Sequence, residues 1–181
     1  LHTLGVDGGY TQRDVMEVAR CLTGWTVRSE ERFGKGRVEF RAENHDDGAK
    51  TVLGETIPVG LGKGDLDRVL GIVSAHPATA RYIATKLCKR FISDDPDDSA
   101  IESVASAFQK SDGDIPTTLR ALFATDGFWA SRDRKIKRPI RFVASALRAT
   151  GATTNGGPGL LEYVVRMGQA PFSYPTPDGY P

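Results

Sequence analysis

Apolar side chains recur every three or four residues along most of the chain, the spacing that places them on one face of an α-helix. The pattern predicts seven amphipathic helices. Their apolar stripes begin near Val15, Leu66, Ala80, Ile101, Leu119, Ile140 and Leu161. The fold class is therefore expected to be mainly α, an irregular or orthogonal bundle of about seven helices.

Residues at the ends of the stripes are of the kinds that begin helices. Thr11, followed three residues later by Asp14, resembles a capping box, and Asp65 is predicted to cap the second helix. Proline is favoured in the first helical turn. On this basis helices are expected to open at Pro77, Pro116 and Pro139.

The pattern changes around residues 25–57, where short β-prone stretches alternate with glycine and charge. The stretches are 25–27, 38–40 and 51–53, with turn residues at 33–36 between the first two. We expect a small β-hairpin or three-stranded insertion here. Because a two-stranded ribbon is marginal alone, it should lie against the helices.

The length of 181 residues suits a single domain, residues 1–181. The tail at 171–181 contains four prolines and is predicted to be non-helical. The chain starts at Leu1 without a methionine and ends at Pro181. Both ends are therefore interpreted as cuts through a longer protein.

Composition and charge narrow the function classes. With 24 basic and 23 acidic residues the net charge is +1, so no overall field favours nucleic acid or a membrane surface. Aromatic residues are not interleaved with the basic ones as in single-strand binding proteins, and no nucleic-acid partner is predicted. No apolar run approaches the roughly 20 residues of a transmembrane helix.

The two cysteines, Cys21 and Cys88, lack the spacing of a thiolate zinc site. They are predicted to be buried free thiols. A single disulfide between them is the alternative if the protein is exported.

Short motifs in order along the chain carry a family resemblance. They include Leu22-Thr23-Gly24-Trp25, His45-Asp46 with Gly48 and Lys50, His76-Pro77-Ala78-Thr79-Ala80-Arg81, Lys137-Arg138-Pro139 and Thr176-Pro177-Asp178-Gly179-Tyr180-Pro181. Together they resemble the bacterial domain of unknown function 1800 family, over the whole of 1–181. The resemblance implies the later part of a longer protein, often with an export signal and often encoded beside a second exported family. It favours a periplasmic or extracellular location and a protein partner, and it implies no established activity.

All three histidines lie within these motifs. Because imidazole is the commonest protein metal ligand, one hypothesis is a divalent-metal site, with zinc or non-haem iron as the cofactor. Its candidate ligands are His2, His45, Asp46 and His76, with Asp178 as a further contributor. The alternatives are structural: a polar turn at residues 45–48, and a helix cap for the ring of His76.

A basic cluster precedes and enters the helix predicted at Pro139. It comprises Arg132, Arg134, Lys135, Lys137, Arg138 and Arg141. Cations are unfavourable beside a helix N-terminus, where the helix dipole is already positive, so helix stability does not explain them. An anion or an acidic partner surface bound by Arg134, Lys135, Lys137, Arg138 and Arg141 would explain them, as would pairing within the chain. The acidic run that could supply such pairing is Asp94, Asp95, Asp97 and Asp98.

Two function hypotheses follow. The first is a non-catalytic interaction or structural module of a bacterial cell-envelope or exported protein. The second is a divalent-metal-dependent enzyme that uses the histidine and aspartate residues. The first is favoured because the chain has no compact catalytic signature such as G-x-S-x-G or H-E-x-x-H.

Overall fold

The structure is a computed structural model that describes residues 2–27, 36–175 and 180. Within these residues it has eight α-helices and two antiparallel strand pairs, which confirms a mainly α fold with a small β insertion. The elements are α1 (Gln12–Cys21), β1 (Trp25–Val27), β2 (Val38–Phe40), β3 (Lys50–Val52), β4 (Glu55–Ile57), α2 (Gly64–Ala75), α3 (Pro77–Phe91), α4 (Asp98–Lys110), α5 (Ile115–Phe123), α6 (Asp126–Ala130), α7 (Pro139–Thr150) and α8 (Pro158–Arg166).

The core is formed by two hydrophobic clusters. The first lies between α1, the β3–β4 hairpin and α2, and its buried members are Cys21, Val52, Ile57, Val69 and Ile72. The second lies between α3, α4 and α5. Its buried members are Ala80, Ala84, Cys88, Ile92, Ala100, Ile101, Val104, Ala105 and Leu122.

Both cysteines are free and buried, one in each cluster, as the free-thiol prediction requires. Burial raises the pKa of the Cys21 thiol and that of the Cys88 thiol. Neither thiol is therefore placed to act as a nucleophile, because the reactive form is the exposed thiolate.

The β insertion contains two separate hairpins. β1 and β2 occupy the predicted residues and pair in antiparallel register, Trp25 opposite Phe40; most of the predicted turn between them lies outside the described residues. β3 pairs with β4, a strand that the sequence did not predict. Leu53 and Gly54 join them with φ of 52° and 81°, the two consecutive positive values typical of a type I′ hairpin turn.

Helix capping explains how α1 holds the second hairpin. Thr11 and Asp14 form the predicted capping box, with the Thr11 hydroxyl accepting from the Asp14 N–H and the Asp14 carboxylate accepting from the Thr11 N–H. The other Asp14 oxygen accepts from the Leu53 N–H at 2.7 Å. The hydrogen bond from the Thr11 side chain contributes most to holding the pKa of Asp14 below its ordinary value, and the bonds from the Thr11 and Leu53 N–H groups add to it.

The prediction that Asp65 caps the second helix is wrong. α2 begins at Gly64 with Lys63 in the cap position, and Asp65 is fully buried within the first turn. Its carboxylate contacts Lys50 of β3 and not the backbone amides of its own helix end. A partner 15 positions away in sequence is not visible to a local capping pattern.

The C-terminal helices α6, α7 and α8 have few buried side chains. The five-residue α6, which the sequence did not predict, is capped by Thr125. α7 has no buried residue, and α8 buries Val164. α7 ends as predicted at Gly151, whose left-handed conformation has φ of 63°.

Of the tail, residues 171–175 and 180 are described and are non-helical. No helix in the described part of the chain is both long and apolar enough to cross a membrane.

Candidate anion-binding site

The three histidines lie in three different environments. His2 is exposed in the N-terminal turn. The ring of His76 caps α3, because its Nδ1 accepts a hydrogen bond from the Ala78 N–H at 3.1 Å. The ring of His45 is buried, with 2% of its side chain exposed.

The contacts of His45 determine which ring nitrogen carries a proton. Its Nδ1 lies 2.9 Å from the Thr23 carbonyl oxygen, which can only accept, so Nδ1 is the donor. Its Nε2 lies 3.4 Å from Oδ2 of Asp65. The ring therefore joins the turn after α1 to the start of α2.

Asp65 and Lys50 form a buried ion pair beside this ring. Each side chain is 1% exposed, and Lys50 Nζ lies 2.7 Å from Asp65 Oδ2. The ammonium also donates to the carbonyl oxygens of Asp46 and Gly48, at 2.9 Å in the second case. The ammonium thus donates two hydrogen bonds to carbonyl oxygens, whereas its contact with the Asp65 carboxylate is an ion pair without hydrogen-bond geometry.

Asp46 is held by Arg20 through two nitrogens, Nε at 2.7 Å and Nη2 at 3.1 Å. The hydrogen bond from Arg20, followed by that from the Gly48 N–H, lowers the pKa of Asp46 to about 2. The bond to Gly48 closes the polar turn expected at residues 45–48. Both oxygens of this carboxylate already accept from partners within the chain.

The metal hypothesis gains no support from this arrangement. Among residues 2–27, 36–175 and 180, no three or more His, Cys, Asp or Glu side chains are grouped so as to hold a metal ion. His45 and His76 make the separate contacts given above, and His2 is exposed. Asp178 lies outside the described residues. Metal binding remains an untested prediction.

The basic cluster, by contrast, opens onto a cavity. The cavity has a volume of about 380 Å³. Its lining, here called the basic pocket, consists of six cationic side chains and two tyrosines: Tyr82, Lys86, Lys89, Arg90, Lys135, Arg138, Arg141 and Tyr180. It combines three of the predicted anion-binding residues with three cations from another helix.

α3 supplies one wall of the basic pocket. Lys86, Lys89 and Arg90 follow the i, i+3, i+4 spacing, so they lie on one outer face of the helix. The opposite face, with Ala84 and Cys88, is fixed in the second hydrophobic cluster. These three cations were not predicted from the sequence as part of the site, although their spacing along α3 is a signal that could have identified them.

The start of α7 supplies the facing wall. Pro139 opens the helix, and Arg138 occupies the cap position without capping it through its side chain. The Ile140 N–H donates to Oε1 of Gln169 at 3.1 Å. Arg138 Nη1 donates to the Tyr180 carbonyl oxygen at 3.4 Å. The tail residue is thereby tied to the rim of the pocket.

Within the described residues, few negative charges balance the six cations. Lys135 pairs with Asp94, the only member of the predicted acidic run that contacts the cluster within the described residues. The hydrogen bond from Lys135 and the nearby charges of Lys135, Arg138 and Lys89 lower the pKa of Asp94. The other five pocket cations have no carboxylate within 4.0 Å in the part of the chain that the structure describes.

Two of the predicted anion-binding residues lie outside the pocket. Arg134 and Lys137 are exposed and are not part of the cavity lining, whereas Lys135, Arg138 and Arg141 are. The structure thus divides the basic cluster into a set that converges and a set that faces solvent.

Fold and site together define a mainly helical domain with a concave, cation-lined pocket between two helices. The chain belongs to the family described as "Protein of unknown function (DUF1800)", whose model matches residues 1–181. A comparison with curated proteins found no significant match, and neither did a comparison with solved structures.

Proposed function

We propose that this domain is a non-catalytic interaction module of a cell-envelope or exported protein, and that it binds an anionic partner in the basic pocket. The observation that carries the proposal is the convergence of six cations, from α3, the start of α7 and the segment before it, around one cavity. In the described chain Asp94 pairs with one of them, Lys135.

Stability alone gives no reason for such an arrangement. Like charges that face one another repel, and cations at the N-terminus of α7 oppose the helix dipole. An anion placed between the two walls would reverse both effects, because it would be attracted by the side chains and by the helix end. Concave surfaces of one charge also concentrate ligands of the opposite charge.

Binding of two unrelated anionic probes, a hexaglutamate peptide and tripolyphosphate, tests the proposal by titration calorimetry. The test variant carries Lys89→Glu and Arg138→Glu, one change on each wall. The control carries Arg134→Glu and Lys137→Glu, which alter the net charge by the same amount outside the pocket.

At about 0.1 M salt we expect at least one probe to bind the unchanged protein and the control. Binding to the test variant should be at least about tenfold weaker, a difference of about 1.4 kcal/mol. The affinity of the test variant should also fall less between 0.1 M and 1 M salt, where the Debye length shortens from about 10 Å to about 3 Å. The reason is that fewer attractive charges remain in the pocket to be screened. If neither probe binds, or if both double variants lose affinity equally, the pocket is not the binding site.

A further inference from the structure

We infer that the ligand of the basic pocket carries two adjacent phosphoryl groups, as in a diphosphate. This inference rests on the proposed function, because it names the chemical class of the anion that the pocket binds.

The charge and volume of the pocket favour a compact anion with several charges. The pocket holds six cations and the cavity is about 380 Å³. Since a water molecule occupies about 30 Å³ in the liquid, this space corresponds to about 12 water-sized groups. A diphosphate group has about nine heavy atoms, so it fits. The inner phosphoryl group carries about one negative charge and the terminal group about one to two, so the diphosphate brings about two to three negative charges.

A carboxylate-rich peptide matches the pocket less well. Each aspartate or glutamate residue brings one negative charge with about eight or nine heavy atoms, of which two are acceptor oxygens. The same space therefore holds one or two such residues and about as many charges. Apart from Lys135, which pairs with Asp94, the pocket cations have no carboxylate within 4.0 Å among the residues that the structure describes, and one or two peptide carboxylates would leave most of those five cations unpaired.

The arrangement of the donors on two sides of the cavity also favours phosphoryl groups. Cations approach the cavity from two walls, with Lys86, Lys89 and Arg90 on α3 and with Arg138 and Arg141 at the start of α7. A phosphoryl group presents three acceptor oxygens in a tetrahedral arrangement, so it can accept from several directions at once. A planar carboxylate is best suited to a single bidentate guanidinium.

A diphosphate could belong to a soluble molecule or to a lipid headgroup. Both present the same chemistry to the pocket. They differ in the attached group, which would leave the cavity through its open mouth toward solvent or toward a membrane surface.

The test is titration calorimetry in metal-free buffer at constant ionic strength, with inorganic pyrophosphate, orthophosphate and hexaglutamate as the probes. Pyrophosphate is expected to bind at least about tenfold more tightly than either of the others, because it places more charge in the cavity. Lys89→Gln with Arg138→Gln should abolish this preference. Arg134→Gln with Lys137→Gln, which lie outside the pocket, should preserve it. If the first pair disturbs folding, Lys86→Gln with Lys89→Gln replaces it.

Two further probes separate the sources. They are adenosine diphosphate in solution, and phosphatidylcholine vesicles that contain a small fraction of geranylgeranyl diphosphate. Binding of the nucleotide without sedimentation on the vesicles assigns a soluble ligand. Sedimentation that requires the lipid diphosphate assigns a headgroup, and both results support the inference.

Other outcomes overturn it in distinguishable ways. If hexaglutamate binds in the pocket and pyrophosphate does not, the proposed anion-binding function stands and the diphosphate inference fails. Equal affinity for orthophosphate and pyrophosphate also overturns the inference alone. If neither pyrophosphate nor hexaglutamate responds to the pocket variants, the inference and the proposed function fail together.

Discussion

Replacing Lys50 by methionine removes one partner of the buried ion pair and keeps a side chain of similar length. Asp65 would then lose its ammonium partner at 1% exposure, with Nε2 of His45 as its remaining neighbour at 3.4 Å. The carbonyl oxygens of Asp46 and Gly48 would also lose their donor. The substitution therefore tests whether this cluster is a structural lock between β3 and α2.

The expected loss is large. Breaking a buried ion pair from one side costs about 3–5 kcal/mol, because the remaining charge stays desolvated and uncompensated. With a urea m-value of about 2 kcal/mol/M, the unfolding midpoint should fall by about 2 M. Asp65→Asn should lower the free energy of unfolding by less than Lys50→Met. Lys50 would keep its two carbonyl acceptors, and a neutral amide oxygen would replace the carboxylate.

Urea unfolding followed by circular dichroism at the helical band measures this loss. Arg68→Met is the matched control, because Arg68 of α2 pairs with Glu55 of β4 at 2.9 Å. That pair joins α2 to the other strand of the same hairpin, but its side chains are 52% and 53% exposed. Its removal should cost less than about 1 kcal/mol.

A loss for Lys50→Met that is no larger than that for Arg68→Met would refute the reasoning. It would mean that the contact between Lys50 and Asp65 contributes no more to stability than an exposed ion pair.

Two further predictions concern single polar contacts. Because Arg20 lowers the pKa of Asp46 to about 2, below the usual value of about 3.9, the stability from this carboxylate is present above pH 4 and is lost as the pH falls towards 2. Asp46→Asn should therefore be less stable than the unchanged protein at pH 6, and thermal melts should show the difference shrinking between pH 4 and 2; a constant difference would contradict this. His76→Ala should lose about 1 kcal/mol in urea unfolding, because the Ala78 N–H loses its cap, whereas the exposed His2→Ala should change stability little. Equal effects of the two histidine changes would exclude the capping role.

Local patterns predicted the elements well where the determining contacts are local. β1 and β2 lie at the predicted residues, and the Thr11 capping box forms as expected. β4 is as long as β1 and β2, but it was missed because Glu55–Ile57 contains one apolar residue, Ile57, and so lacks the composition typical of a strand. α6 was missed because its five residues, Asp126–Ala130, are too few for the helical spacing to recur.

The candidate site was predicted only in part, because its residues are distant in the sequence. The run around Pro139 marked Lys135, Arg138 and Arg141, but nothing local distinguishes them from Arg134 and Lys137. The wall on α3 lies about 45–55 positions earlier in the chain, and only the tertiary fold brings it to the same cavity. The error at Asp65 has the same origin, since its partner Lys50 is on another element.

The shallow attachment of α7 connects ligand binding to the local dynamics of the domain. One wall of the pocket is anchored in the hydrophobic core through α3, whereas α7 contributes no buried side chain. Segments with little buried apolar surface open more readily than the core. A ligand that bridges the walls stabilises the closed form by linkage. Amide hydrogen exchange in α7 and α8 would therefore slow on binding, while exchange in α3, α4 and α5 would change little.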